Sequence, residues 1–322
     1  MQFIADQLAG LERLDVAPAK PADFDAFWNG NCRLAQETPL DIRGGRIDYP
    51  FPGCEVRDLT FAGLDGTRIH TWLLLPPGAR RGPVPAVVHL HGASGSRGVP
   101  SSHAAWLLAG AAVVAMDFRL QDGLTGSVTG FTAGHELNWA SMGILDRDTY
   151  YFRHTWIDAL RSIRLALETP EIDARRVAVA GGSQGGGAAL AMAALDPRVA
   201  LCLADVPSMC WLQKRVYDRT GGSKATAEFL RSHPDQLERV CATLSYFDNL
   251  HLADRIRCPV LVSCGLKDPV CPPDCVYAVY NRITAPKQMC AYPFGEHGGG
   301  GAAHEIVRLQ FLRKHFFGGA EG

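Results

Sequence analysis

The chain has no surplus of either charge: 32 Lys and Arg stand against 33 Asp and Glu, leaving a net charge of −1. Binding to a nucleic acid rests on neutralising phosphates with clustered cations, so no nucleic-acid partner is expected. No uninterrupted apolar run approaches the roughly 20 residues of a membrane helix, so no membrane partner is expected. The N-terminus, MQFIADQLAGLERL, has acids where a secretory signal needs a positive start, and no apolar core follows. This predicts a soluble protein kept in the cytoplasm. The ten cysteines also lack the setting of a disulfide framework. Most lie in apolar runs, among them Cys202, Cys258, Cys264 and Cys290, as buried thiols acting as small hydrophobes would. Cys271 and Cys275 are the only close pair, a poor zinc site without a second pair or a suitably spaced histidine. His135-Glu136 is not HExxH, so zinc-peptidase chemistry has no support.

What is present is a regular alternation. After a helical N-terminal arm (1–50), residues 56–61 and 67–75 read as two strands, with Asp65-Gly66 as the hairpin signal between them. Apolar runs of strand length follow at 85–90, 111–117, 177–180, 199–204, 259–264 and 288–292. Such runs suit strands covered on both faces of a parallel sheet. Between them, Trp156, Leu160, Ile163 and Leu167 mark one buried helical face, and the last helix is expected to bury Ile306, Leu309, Leu312 and Phe316. Strands alternating with helices predict an α/β fold with a mostly parallel sheet. No repeat or low-complexity linker divides the chain, so one domain is expected over 1–322. Two segments break the rhythm: a glycine-rich loop at 122–149 and a helical insertion near 207–250, where a cap often sits.

The most informative stretch is VAVAGGSQGGGAALAMAAL. A strand runs into Gly181-Gly182-Ser183-Gln184-Gly185, and a small-residue helix follows. This is G-x-S-x-G in its strand–turn–helix setting, the nucleophile elbow of α/β-hydrolases. The glycines leave room for a tight turn that lifts the serine above the sheet, and the helix N-terminus favours negative charge beside it. The Lys-[Ser/Thr] of a phosphate-binding loop is absent.

A serine nucleophile needs a base, and the base an orienting acid, in the order Ser, acid, His. Asp268, after the run 259–264, is the preferred acid, with Asp205 as rival. His297, after the last strand, is the preferred base, with His304 as rival. The glycine run after His297 follows the nucleophile, so it is not the oxyanion loop, which comes earlier in the chain. His91-Gly92-Ala93 stands in that earlier place, making the backbone N–H groups of Ala93 and Gln184 the candidate oxyanion donors. Arg119 and Gln121 follow the strand 111–117. They could contact substrate, but a structural role tying loops together is the preferred reading.

The chain resembles the acetyl xylan esterase/cephalosporin-C deacetylase family, carbohydrate esterase family seven. GGSQGGG at 181–187 carries the resemblance, with GILDRDTYYFRH at 143–154, DVPSMC at 205–210, TLSYFD at 243–248 and GLKDPVCPP at 265–273. The resemblance implies an α/β-hydrolase fold and deacetylation of small acetylated substrates such as xylo-oligosaccharides and cephalosporin C. It implies no cofactor or metal, a triad of Ser183, Asp268 and His297, and a ring-like homo-hexamer with the 122–149 insertion at its interface. Three positions depart from the family pattern: Leu120 replaces the glycine of Arg-Gly-Gln, Gly298 the glutamate of His-Glu, and Ala93 a tyrosine in the oxyanion loop. A broader carboxylesterase accepting longer acyl chains is the alternative. A catalytically silent binding protein is the other, against which all three triad residues stand.

Overall fold

Apolar runs alternating with amphipathic ones build one nine-stranded sheet with helices on both faces. The computed structural model describes residues 1–131 and 138–318; His135, Glu136 and part of the 122–149 loop lie outside the described residues. The chain begins with α1 (Gln2–Glu12), α2 (Phe24–Glu37), β1 (Arg43–Ile47), β2 (Glu55–Ala62) and β3 (Arg68–Leu75). Next come β4 (Val84–Leu90), α3 (Ala104–Leu108), β5 (Ala112–Met116), α4 (Tyr151–Glu168), β6 (Ile172–Gly182) and α5 (Gln184–Leu195). Then follow β7 (Leu201–Asp205), α6 (Leu212–Tyr217), α7 (Ser223–Ser232), α8 (Leu237–Ser245) and β8 (Val260–Gly265). The chain closes with α9 (Pro273–Arg282), β9 (Lys287–Tyr292) and α10 (Gly301–Phe316).

The strand order is β1-β2-β3-β5-β4-β6-β7-β8-β9. The first three strands are antiparallel and β3 runs antiparallel to β5; the remaining pairs are parallel. This is the α/β-hydrolase arrangement. Successive side chains of a strand point to opposite faces. Accordingly Ala86, Val88 and Leu90 of β4 join one apolar cluster and Val87 joins the other. Burial on both sides is why these strands read as unbroken apolar runs.

Three details differ from the sequence reading. β1 lies inside the N-terminal arm; Arg43-Gly-Gly-Arg-Ile lacks strand-forming residues until its end and forms a mostly exposed edge. β6 starts at Ile172, because Ile172 pairs with Val84 although the intervening Asp-Ala-Arg-Arg is polar. In α10, Ile306 is exposed and Leu309 only half-buried. The buried stripe is His304, Phe311, Leu312 and Phe316. A histidine takes the place expected of an aliphatic because it has partners: Nε2 lies 2.8 Å from Asp205 Oδ1 and Nδ1 2.9 Å from the Tyr292 hydroxyl. Gly300 follows from the same contact, since a Cβ there would lie 2.1 Å from the Tyr292 ring. Arg308 joins, 2.8 Å from Asp205 Oδ2. The last helix is thus tied to the carboxyl end of β7.

The N-terminal arm is packed, not loose. Trp28 packs tilted against Trp156 of α4, ring centres 5.3 Å apart, and its indole N–H donates to the Tyr246 carbonyl at 2.7 Å. Arg161, fully buried on α4, donates to the carbonyls of Ala62, Ala35, Thr38 and Pro39. The ten cysteines are unpaired; Cys202, Cys210, Cys258, Cys264, Cys271 and Cys275 are buried. Among the described residues no helix is long and apolar enough to cross a membrane.

Burial lowers the proton affinity of His304, but the Asp205 carboxylate and then Cys290 outweigh it and push its pKa up to about 9. A group whose folded pKa is raised stabilises most below its unfolded value, near 6.5, and loses that stabilisation as pH climbs through the folded value. The melting temperature should therefore fall between about pH 6.5 and 9 by an amount that His304→Gln abolishes. Melting curves of the two proteins across that range check this; parallel profiles would exclude the His304 contribution.

Candidate active site

β6 ends at Gly182 and α5 begins at Gln184, so Ser183 alone turns the chain. Its φ of 56° and ψ of −116° lie where a side chain is strained. Three backbone bonds hold it there. Its N–H donates to the Asp205 carbonyl, and its carbonyl accepts from Gly187 and Ser208, each at 2.9 Å. The flanking glycines answer to space: a Cβ on Gly185 would lie 1.9 Å from the Leu90 carbonyl oxygen, and one on Gly181 2.5 Å from the same atom.

The structure brings the three predicted triad residues together. His297, in the loop after β9, places Nε2 3.0 Å from Ser183 Oγ and Nδ1 2.9 Å from Asp268 Oδ2. Asp268 follows β8 with its side chain fully buried. Its other oxygen accepts the N–H groups of Val270 at 2.7 Å and Cys271 at 2.9 Å, which fixes the carboxylate against the histidine. The Asp268 carboxylate, and after it Cys271, raise the His297 pKa well above its ordinary value against the opposing effect of burial. The rivals are elsewhere engaged: Asp205 and His304 pair with each other, as described above. Cys271, which the sequence singled out only as half of a close cysteine pair, is a neighbour of Asp268 and His297. Ligand atoms of Asp268, Cys271 and His297 lie within 4.8 Å of one another, the one such grouping among the described residues. Two of those atoms already face each other in the Asp268–His297 bond.

The loop after β4 supplies the other wall. Gly92 packs against the elbow, with Gly182 O 3.5 Å from where a Cβ would stand. His91 Nε2 accepts the Phe118 N–H at 2.8 Å, so its proton is on Nδ1, which donates to the Gly92 carbonyl at 2.7 Å. Burial lowers its pKa, in keeping with the neutral ring this pairing needs. Among the described residues, the N–H groups of Ala93 and Gln184 find no acceptor in the protein. Gln121 ties this loop to the elbow, accepting from the Ser94 N–H at 3.0 Å and donating to Gln184 Oε1 at 3.2 Å. Arg119 is buried between Asp158 at 2.5 Å and Asp65 at 2.6 Å. Leu120, between Arg119 and Gln121, has φ 57°, a left-handed conformation that a glycine would adopt without strain.

Beside Ser183 lies a cavity of about 100 Å³. Ala93, Trp139, Met209, Arg215, Thr226 and Val270 contribute to its wall. Trp139, Arg215 and Thr226 were not singled out by the sequence; their only signal was membership of the two insertions. Trp139 donates its indole N–H to Gln184 Oε1 at 3.0 Å, so the first insertion touches the elbow directly.

A curated relative, acetyl esterase Axe7A of Xylanibacter ruminicola, is 32% identical over 285 residues, 86% of this chain. The chain spans 63% of the length of that relative. The solved acetyl xylan esterase from Paenibacillus sp. R4 is 34% identical and superposes with a TM-score of 0.90, covering 96% of this chain and 99% of its own. Acetyl xylan esterase 1 from Thermoanaerobacterium sp. JW/SL YS485 is 32% identical with a TM-score of 0.89, covering 96% and 98%. The pattern of the acetyl xylan esterase (AXE1) family matches residues 1–315, and the chain belongs to that family.

Proposed function

We propose that this protein is a serine esterase that removes acetyl groups from small acetylated substrates. The observation that carries this is the contact chain Ser183–His297–Asp268, at 3.0 and 2.9 Å, with two nearby backbone N–H groups that have no acceptor among the described residues. His297 removes the Ser183 proton as Oγ attacks the ester carbonyl. Asp268 keeps the imidazole in the required tautomer and offsets its positive charge. The N–H groups of Ala93 and Gln184 receive the oxyanion, a contribution of roughly 3 kcal/mol each. As the tetrahedral species collapses, the ester C–O bond breaks and His297 gives its proton to the leaving alcohol. Water, deprotonated by the same histidine, then attacks the acetyl-enzyme, releasing acetate and restoring Ser183.

The small cavity supports a short acyl group, and the family's names support acetyl; xylo-oligosaccharides and cephalosporin C-like esters are the substrates to try first. A second reading, a carboxylesterase for longer chains, has Ala93 in its favour, since the family's tyrosine would occupy more of the wall. Purified enzyme should hydrolyse p-nitrophenyl acetate far faster than the butyrate or octanoate, and Ser183→Ala should lower kcat by roughly 10⁴–10⁶. Equal turnover of the octanoate would favour the broader reading, and a retained rate in the variant would remove Ser183 from the chemistry.

The base must be neutral to accept the serine proton, and Asp268 raises its pKa. The rate should therefore rise with pH through an apparent pKa above 6.5. Asp268→Asn should move that limb to lower pH while reducing kcat by about 10⁴. The pH profile of kcat/KM for both proteins tests this; an unmoved limb would detach Asp268 from His297 in the working enzyme.

We read the protein as a cytoplasmic homo-oligomer. Unpaired thiols suit a reducing compartment. Leu124 and Val128 of the first insertion stand 70% and 68% exposed, an apolar pair suited to an interface. Sedimentation equilibrium should report an assembly, a hexamer by family resemblance, that Leu124→Glu with Val128→Glu weakens. A monomeric wild type would overturn the oligomer.

A further inference from the structure

Among the described residues four arginines are buried, Arg97, Arg119, Arg161 and Arg215, and the first three are treated alike. Arg119 has two carboxylates. Arg161 has four backbone carbonyls. Arg97 meets Asp58 at 2.6 Å, the Thr71 carbonyl at 3.1 Å and the face of Trp72. Burying a cation is costly unless charge and hydrogen bonds compensate it, and these three are compensated.

Arg215, on α6, is only 3% exposed, yet it is not. Nη2 donates to the Val270 carbonyl at 2.8 Å, and Nε reaches the Thr220 hydroxyl at a long 3.4 Å. A guanidinium has five N–H donors, so three have no protein acceptor among the described residues. No carboxylate of the described residues lies within 4.0 Å. Asp248, which turns toward the same helix, is taken up by the N–H groups of Trp211, Leu212 and Leu250. Arg215 lines the cavity that Ser183 also lines, with the hydroxyl-bearing Thr226 and Ser223 beside it. A buried cation, half-satisfied and facing the same cavity of about 100 Å³ that the nucleophile lines, is complementary to a small planar anion.

We infer that Arg215 is a substrate-binding residue that receives a carboxylate carried by the ester, so that the preferred substrate is a small anionic ester. The inference rests on the esterase reading and names the substrate class for that site. The carboxylate is the ligand chemistry; it can sit on the alcohol side or on the acyl side of the scissile bond.

Two pairs of probes separate these. Acetoxyacetate against acetoxyacetamide places the charge on the alcohol side, and monomethyl malonate against methyl malonamate places it on the acyl side. Each rate is normalised to alkaline hydrolysis of the same ester. In the wild type, kcat/KM should favour the carboxylate over its amide at least about 10-fold in one pair, which identifies the side. Arg215→Met should reduce that ratio about 10-fold or more, and Arg215→Lys should retain part of it as a point charge. The readout is a ratio within each protein, so general loss of activity or folding does not imitate it, and melting curves accompany each variant. A wild-type ratio at or below one in both pairs, or a ratio that Arg215→Met leaves intact, would falsify the proposal and leave Arg215 as a prop for the Val270 loop. Hydrolysis of p-nitrophenyl acetate with labelling of Ser183 by a fluorophosphonate is read separately. If both fail, the esterase reading itself is lost; if both succeed while the ratio fails, only the anionic substrate is.

Discussion

Three backbones meet at the carboxyl end of the sheet with almost no space between them: the end of β4 at Leu90, the end of β6, and the first turn of α5. The Leu90 carbonyl oxygen occupies the positions that side chains at 181 and 185 would need. Glycine at both sites allows the contact, and the contact holds Ser183 at φ 56° although that conformation is unfavourable for a serine. The rest of the site depends on this crowding. It raises the hydroxyl above the sheet, leaves the Gln184 N–H without an acceptor among the described residues, and brings the loop after β4 against the elbow at Gly92. In the proposed reaction a looser junction would disperse the two proposed oxyanion donors, and such donors act only when fixed in advance.

Around that junction the protein uses two Asp–His pairs for different purposes. Asp268–His297 is half open, with the imidazole about a third exposed and its outer nitrogen free to face Ser183. Asp205–His304 is closed in by Tyr292 and Arg308 and holds α10 to the sheet. Asp205 still contributes to the first pair's setting, because its backbone carbonyl takes the Ser183 N–H. The carboxylate steadies the fold while the main chain of the same residue steadies the nucleophile.

The fold was largely legible because both-face burial turns parallel strands into apolar runs, and the elbow because its steric demand leaves a mark of glycines at fixed spacing. Where the sequence misled, a polar group had a buried partner or an apolar one had none. His304 sits inside a helix face that the pattern assigned to Ile306, since Asp205 and Tyr292 satisfy it. β1 and the start of β6 were hidden because strand pairing there is made by backbone bonds, which hydropathy does not record. Asp268 was preferred to Asp205 because it follows the later strand, and His297 to His304 because it lies in a glycine-flanked loop and not in the final helix. Distances support these preferences on a different ground: each rival is already paired.

Local sequence determined most of the elements, the elbow and the order of the proposed nucleophile, acid and base, because these depend on spacing of a few residues and on which of them lack side chains. It did not determine the substrate pocket. Trp139 comes from one insertion, Arg215 and Thr226 from the other, and Val270 from the loop that carries the acid. They converge only when the sheet brings three separate segments to one edge. Nor does the sequence tell which of its buried arginines is compensated. Arg119 and Arg161 find their partners tens of residues away, and Arg215 has lost that competition to the backbone that occupies Asp248. Charge balance over such distances is a property of packing, so tertiary structure alone decided what the cavity beside Ser183 is suited to hold.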